Sequence, residues 1–195
     1  MAGLRSADEV LANELKEIYS AERQLTRTLP RLAKKVSSER LREMLDHRRE
    51  QGTMLMEQLD DVFDEMQVSK GRVKNPVAEG LLEDANQHLE QVDDDRLVDP
   101  LLADAQKLEH YCIAAWGTAR SLGRRLEQDK VVKAMEQVLE EGKRFDEELT
   151  KVAEDEVNPQ MLSDEDEGHE ETEEDGRDGR RQSGRAGGRG SRRSR

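Results

Sequence analysis

Residues 11–32 read LANELKEIYSAERQLTRTLPRL, and the spacing of their apolar side chains predicts the architecture of the chain. These side chains recur at intervals typical of one helix face, at Leu11, Leu15, Ile18, Leu25, Leu29 and Leu32. Such a face forms the seam of a helical bundle. One member of the series is missing, and Glu22 occupies its position. We therefore expect the Glu22 carboxylate to point into the bundle about midway along the helix.

Similar patterns predict three further long helices and one short helix. Ser6 and Glu9 have the spacing of a capping box and should begin the first helix. Asp99 and Pro100 are expected to be the N-cap and first residue of the third long helix. The predicted long helices span 6–36, 39–67, 97–123 and 127–157, and the short one spans 77–91. Two antiparallel hairpins joined by a long connection predict an all-α, ferritin-like four-helix bundle whose crossover carries the short helix.

Composition supports a helical bundle and excludes several other classes of protein. Aromatic residues make up only 3% of the chain, and charged residues make up 39%. This composition leaves too few large apolar side chains for the core of a sandwich or barrel. The net charge of −13 argues against a general basic surface for nucleic acid on the folded part. A single cysteine, no apolar secretory segment and no run of 18 apolar residues predict a cytoplasmic protein.

The last part of the chain has the composition of a disordered tail. Residues 163–176 contain nine acidic side chains, and residues 177–195 contain eight arginines against one aspartate. Neither segment has enough apolar surface to offset its chain entropy, so we predict a bundle at 1–157 and a tail at 158–195. The tail has two interpretations: it improves solubility or compaction, or its Arg/Gly/Ser-rich end binds RNA, DNA or an acidic partner.

The middle of each seam is polar or small instead of apolar. Helix 1 has Glu22 there, and the other three helices pass through these groups: His47, Arg48, Gln51 and Gly52; Glu109, His110 and Cys112; Glu141, Gly142 and Asp146. Ferritin-like bundles hold two iron or manganese ions at this depth. The Glu-x-x-His signature of such sites is absent. Glu22 is therefore either a metal ligand or a buried carboxylate that is protonated or paired with Arg48, His47 or His110.

Five segments resemble the YciE/YciF family of ferritin-like stress proteins over residues 8 to about 155. They are ELKEIYSAERQLTRTLPRLAKKVSSERLREML (14–45), QLDDVFDEM (58–66), EGLLEDA (79–85), LEHYCIAAWGTARSL (108–122) and EEGKRFDEELTKVA (140–153). The resemblance implies a rubrerythrin-like di-iron site and ferroxidase activity. It assigns the metal to Glu22, Glu109, His110, Glu141 and Asp146, and the seam spacing adds His47 and Glu50 as weaker candidates. Other ligand positions of the family pattern hold Gln51, Gly52, Leu55, Cys112 and Gly142 instead.

Three functions follow from these observations. In the first, the chain is a homodimeric stress-associated bundle with a degraded di-iron centre and a structural or interaction role. In the second, it is a working ferroxidase that uses iron or manganese. In the third, it is an adaptor whose Arg-rich tail binds nucleic acid. If the first holds, restoring carboxylates at Cys112 and Gly142 should raise the metal content, provided that the scaffold has room.

Overall fold

A computed structural model of the chain describes residues 3–92, 97–99 and 102–159. The predicted all-α fold is confirmed, and no strand occurs within those residues. The helices are α1 (Ala7–Ala33), α2 (Glu39–Glu65), α3 (Pro76–Gln91), α4 (Leu102–Arg125) and α5 (Asp129–Val152), followed by a π-helical turn at Ala153–Val157. The long helices α1, α2, α4 and α5 form the bundle, and α3 lies in the crossover between α2 and α4.

Side-chain caps define where the first three helices begin. The Ser6 hydroxyl accepts a hydrogen bond from the Glu9 N–H, which confirms the predicted start of α1. The Ser38 hydroxyl accepts from the Leu41 N–H at the start of α2. The Asn75 side chain accepts from Val77 N–H and Ala78 N–H, ahead of a proline in the first turn of α3. Each cap satisfies backbone donors that have no partner inside the helix.

The predicted capping of the third long helix by Asp99 stays a prediction, because residues 100 and 101 lie outside the described residues. The Asp99 carboxylate, which is 5% exposed, accepts hydrogen bonds from the backbone N–H groups of Ser37 and Ser38. It therefore satisfies donors at the entrance to α2, which is remote in sequence, and ties the crossover to the α1–α2 turn. The described part of α4 begins later, at Leu102. The predicted first residue of that helix, Pro100, lies outside the described residues.

The core consists of two apolar clusters separated by a polar layer. One cluster is built around residues such as Leu25, Leu45 and Leu149. The other contains the opposite halves of the same helices, including Leu15 and Leu59. Each cluster combines the N-terminal half of one long helix with the C-terminal half of its neighbour, so neighbouring long helices run antiparallel. Between the clusters lies a layer of buried polar and small residues: Glu22, Arg48, Gln51, Gly52, Glu109 and Gly142.

The crossover helix covers one side of the bundle. Ala78 and Leu82 of α3 pack into the first cluster beside α1 and α4. Asn75, just before α3, is buried, accepts from α3, and donates to the Glu17 carbonyl of α1 and the Tyr111 hydroxyl of α4. On the opposite side, within the described residues, no helix covers the groove of about 530 Å³ between α2 and α5.

Two sequence predictions concern residues that the structure describes only in part. The predicted tail at 158–195 lies outside the described residues from position 160 onward, and the backbone is helical at 158 and 159. Among the described residues, none of the helices combines the length and apolar character that crossing a membrane requires.

Candidate functional site

Arg48 lies at the centre of the polar layer and joins α1, α2 and α4. Its Nη1 and Nη2 atoms donate to Glu22 Oε2 and Oε1 at 3.0 and 3.1 Å, which is a bidentate ion pair. Its Nε atom donates to Glu109 Oε2 at 2.6 Å. Arg48 and Glu109 are 1% exposed and Glu22 is not exposed. The three side chains therefore form a buried ion triad, with one guanidinium held between two carboxylates.

Burial and charge act in opposite directions on the triad. Burial would lower the pKa of the Arg48 guanidinium, but Glu22 and Glu109 outweigh burial and raise that pKa well above its ordinary value. Burial raises the pKa of the Glu109 carboxyl, and Arg48 only partly offsets the effect. The Glu109 Oε1 atom is buried and has no hydrogen-bond partner in the described part of the chain. With both carboxylates ionised the triad would carry one net negative charge, which is unfavourable in a buried layer and agrees with the raised pKa of Glu109.

Two glycines create the space that the triad needs. A Cβ atom at Gly52 of α2 would lie 2.6 Å from Glu22 Oε2. A Cβ atom at Gly142 of α5 would lie 2.6 Å from Glu109 Oε1 and 2.5 Å from Cζ3 of Trp116. Trp116 is 1% exposed, and the Arg48 guanidinium carbon lies 5.3 Å from its ring centroid. Glycine at these two positions therefore allows the carboxylates, the guanidinium and the indole ring to share one layer.

The residues that the resemblance assigns to metal do not come together. Glu22 and Glu109 are buried in the triad. His110, next to Glu109 on α4, points to the surface with a side chain 67% exposed. Its Nε2 atom lies 2.9 Å from Asp146 Oδ1 of α5, so these two predicted ligands form a separate surface pair. The inward-facing carboxylates and the nearest predicted imidazole thus lie on different sides of the α4 backbone.

The remaining candidates lie along or near the α2/α5 groove. Glu141 is half-buried, lines the groove and accepts a hydrogen bond from the Gln137 side chain. His47 is exposed and lines the same groove, and Glu50 is exposed. Among the described residues, no three His, Cys, Asp or Glu side chains are close enough to hold a metal ion together.

The side chains of the layer do not suit a pair of iron ions. A di-iron centre needs several oxygen and nitrogen ligands directed at one space and open coordination positions for substrate. Here both inward carboxylates bind the guanidinium, which would repel a nearby metal cation. The unpartnered Glu109 Oε1 atom leaves one free oxygen in the layer.

Residues 6–162 match the model of the family described as Domain of unknown function (DUF892). This match spans well over half of the chain. The chain belongs to the DUF892 family.

Relatives of this DUF892 chain confirm the resemblance seen in the sequence. It is 36% identical to protein YciF of Escherichia coli (strain K12) over 157 residues, which are 80% of this chain and 95% of YciF. The crystal structure of the E. coli stress protein YciF is similar, with a TM-score of 0.75 over 80% of this chain and 99% of that one. YcfI of Rhodopseudomonas palustris, for which a structural role has been suggested, is 29% identical with a TM-score of 0.73, over 76% and 96% of the two chains.

Arg48 is absent from the sequence-based set of metal ligands, although the sequence named it as one possible partner of Glu22, and the structure confirms that pairing. A signal for it exists, because Leu41, Leu45, Arg48, Gly52 and Leu55 follow the alternating four- and three-residue spacing of a bundle seam. Arg48 therefore occupies an interior position, as Glu22 does on α1. An arginine and a glutamate in facing seams point to an ion pair, because a buried charge without a partner is strongly unfavourable.

We predict that Glu109 makes the stability of this DUF892 protein fall as pH rises. In the folded state its pKa is raised above the ordinary 4.5, so between 4.5 and the folded pKa the folded state binds more protons than the unfolded state. The stability that the raised pKa of Glu109 contributes is fully present below pH 4.5. It is lost at up to about 1.4 kcal/mol per pH unit as pH rises from 4.5 to the folded-state pKa. Urea unfolding of wild type and Glu109→Gln from acid to neutral pH measures it, because the amide cannot titrate.

As pH rises, the free energy of unfolding of the wild type should fall relative to that of Glu109→Gln. Glu50→Gln is the matched control, since Glu50 is an exposed glutamate on α2. Parallel pH profiles for wild type and Glu109→Gln would show that Glu109 has the same affinity for protons in both states and would reject the prediction.

Proposed function

We propose that this DUF892 protein is a stress-associated structural or interaction protein and not a ferroxidase. One observation carries the proposal: both carboxylates that point into the middle of the bundle are bonded to Arg48. In a ferroxidase the same carboxylates would have to bind iron and leave a coordination position open to oxygen or peroxide. A guanidinium has no vacant orbital for oxygen and no accessible second oxidation state.

The buried triad suits a structural role. It joins α1, α2 and α4 at mid-height and, through the packing around Gly142, constrains α5 as well. Charged pairs with bidentate geometry accept fewer alternative arrangements than apolar contacts, so the triad favours one register of the four helices. The relatives agree with this role, since YciF is a stress protein and a structural role has been suggested for YcfI. A homodimer in the cytoplasm remains our prediction from the sequence.

We predict that the purified protein binds well under two iron or manganese ions per chain and oxidises Fe(II) slowly. Arg48 already binds both inward carboxylates, and His110, Glu141 and Asp146 lie apart from them. Elemental analysis after dialysis against Fe(II) without oxygen, followed by optical measurement of Fe(III) formation in air, provides the test. A protein-free sample and E. coli YciF should be measured in parallel. Two tightly bound ions per chain with rapid oxidation would refute the structural role and establish the ferroxidase.

A second candidate function rests on the arginines at the end of the chain. Eight arginines among residues 177–195 would bind the phosphates of nucleic acid through counterion release, so affinity should fall steeply with salt. We expect the full chain to bind a mixed-sequence duplex or single strand at low salt, and a chain ending at residue 176 to lose this binding. Equal affinity of the two chains at every salt concentration would remove the adaptor from consideration. A chain ending at residue 162 separates the effect of the acidic segment from that of the arginines.

A further inference from the structure

The surroundings of the Arg48 guanidinium resemble those of a single bound cation. Glu22 approaches from α1 through both oxygens, and Glu109 approaches from α4 through one. The Cys112 thiol, one helical turn after Glu109, is also buried. Two carboxylates thus bind one buried cation, and a buried thiol lies on the next turn of α4.

This set of donors is chemically suited to a divalent transition metal. Carboxylate oxygen and thiolate sulfur are ligands of Zn²⁺ and Co²⁺, and Glu109 has one buried oxygen still without a partner in the described residues. With Arg48 present, no three His, Cys, Asp or Glu side chains of the described residues come close enough to share an ion. The guanidinium lies between Glu22 and Glu109 and binds both carboxylates.

We propose that Arg48 is the residue that keeps divalent metal out of this bundle, and that its guanidinium occupies a position which one metal ion fills once the arginine is shortened. This inference rests on the proposed function, since it takes the wild-type layer to be closed to metal. Shortening Arg48 leaves two buried carboxylates without a cation and opens the space that its side chain fills. A divalent ion then supplies the missing positive charge.

Cys112 provides a spectroscopic reporter of the site. A metal ion stabilises a thiolate, and binding would release the proton of the Cys112 thiol to the solvent. Co²⁺ coordinated by a thiolate has a near-ultraviolet charge-transfer absorption that carboxylate-bound Co²⁺ lacks. Co²⁺ alone is therefore a suitable probe.

The test compares Co²⁺ binding by wild type, Arg48→Ala, Arg48→Lys and the double variant Arg48→Ala/Glu22→Gln. We expect Arg48→Ala to bind roughly one Co²⁺ per chain, with the thiolate absorption and a higher melting temperature when Co²⁺ is present. Wild type and Arg48→Lys, which retain a positive charge, should bind almost none. The double variant should bind more weakly than Arg48→Ala because it lacks one carboxylate, and Cys112→Ser in the Arg48→Ala background should lose the thiolate absorption.

The outcomes separate this inference from the proposed function. If Arg48→Ala is helical by circular dichroism and binds no more Co²⁺ than wild type, the inference is overturned while the structural role stands. If Arg48→Ala is unfolded without metal, refolding upon addition of Co²⁺ supports the inference, and failure to refold with Co²⁺ overturns it. The proposed function instead fails on wild-type protein alone, through two bound irons and rapid oxidation.

Discussion

Replacement of Arg48 by methionine is expected to lower the free energy of unfolding by about 3–5 kcal/mol, the usual cost of breaking a buried ion pair from one side. Methionine fills a similar volume but leaves Glu22 and Glu109 in an apolar layer without a cation. Both carboxyls must then take up protons or remain charged at a high cost in solvation. The loss should therefore grow as pH rises. Denaturant unfolding monitored by circular dichroism, from acid to neutral pH, measures both the loss and its pH dependence.

Two matched variants separate the buried triad from a general effect of removing an arginine. Arg49 follows Arg48 on the same helix, but its ion pair with Asp46 is on the surface, so Arg49→Met should cost less than about 1 kcal/mol. The triple variant Glu22→Leu/Arg48→Met/Glu109→Leu should recover most of the stability lost by Arg48→Met, because no buried charge remains. Equal losses for Arg48→Met and Arg49→Met would contradict the importance of the triad.

Gly142→Ala is expected to destabilise the protein by about 1–3 kcal/mol, although alanine is the better helix former. The added Cβ would lie 2.5 Å from Trp116 Cζ3 and 2.6 Å from Glu109 Oε1. Neither group can easily move, since Trp116 and Glu109 are each 1% exposed and packed in the core. The strain of overpacking should exceed the gain in helix propensity of about 1 kcal/mol. Thermal and denaturant unfolding of the variant measure the balance.

Gly117 of α4 provides a matched control for Gly142. It is also inside a long helix, but a Cβ there would meet nothing within 4 Å. Gly117→Ala should therefore stabilise the protein by about 0.5–1 kcal/mol, opposite in sign to Gly142→Ala. A stabilising effect at both positions would show that the core adapts around residue 142 without strain.

The packing around Gly142 also changes what restored carboxylates would do. From the sequence, Gly142→Glu was expected to raise the metal content if the scaffold had room. The clash of a Cβ atom with Trp116 and Glu109 shows that the layer has no such room while those side chains keep their positions. We therefore expect Gly142→Glu to destabilise the bundle more than Gly142→Ala, and metal binding to depend first on the removal of Arg48.

The number of helices and the inward direction of Glu22 follow from the sequence because they depend on short-range periodicity. A helix repeats every 3.6 residues, so the apolar series around Leu15 and Leu25 specifies which face is buried before any partner is known. The same reasoning places Gly52, Cys112 and Gly142 inside, and the structure shows all three buried. The resemblance to the YciE/YciF family is confirmed by the DUF892 match and by YciF itself.

The partners of the interior side chains are decided only by the tertiary structure. Glu109 and His110 are adjacent in sequence and both were candidates for the interior, yet Glu109 is buried and His110 is on the surface. Asp99 similarly caps the entrance to α2, because the crossover returns there. Periodicity gives the rotation of each helix about its own axis only approximately, and says nothing of which side chains meet across helices. In this protein the guanidinium of Arg48 joins the two inward carboxylates because α1, α2 and α4 bring these three side chains into one buried layer.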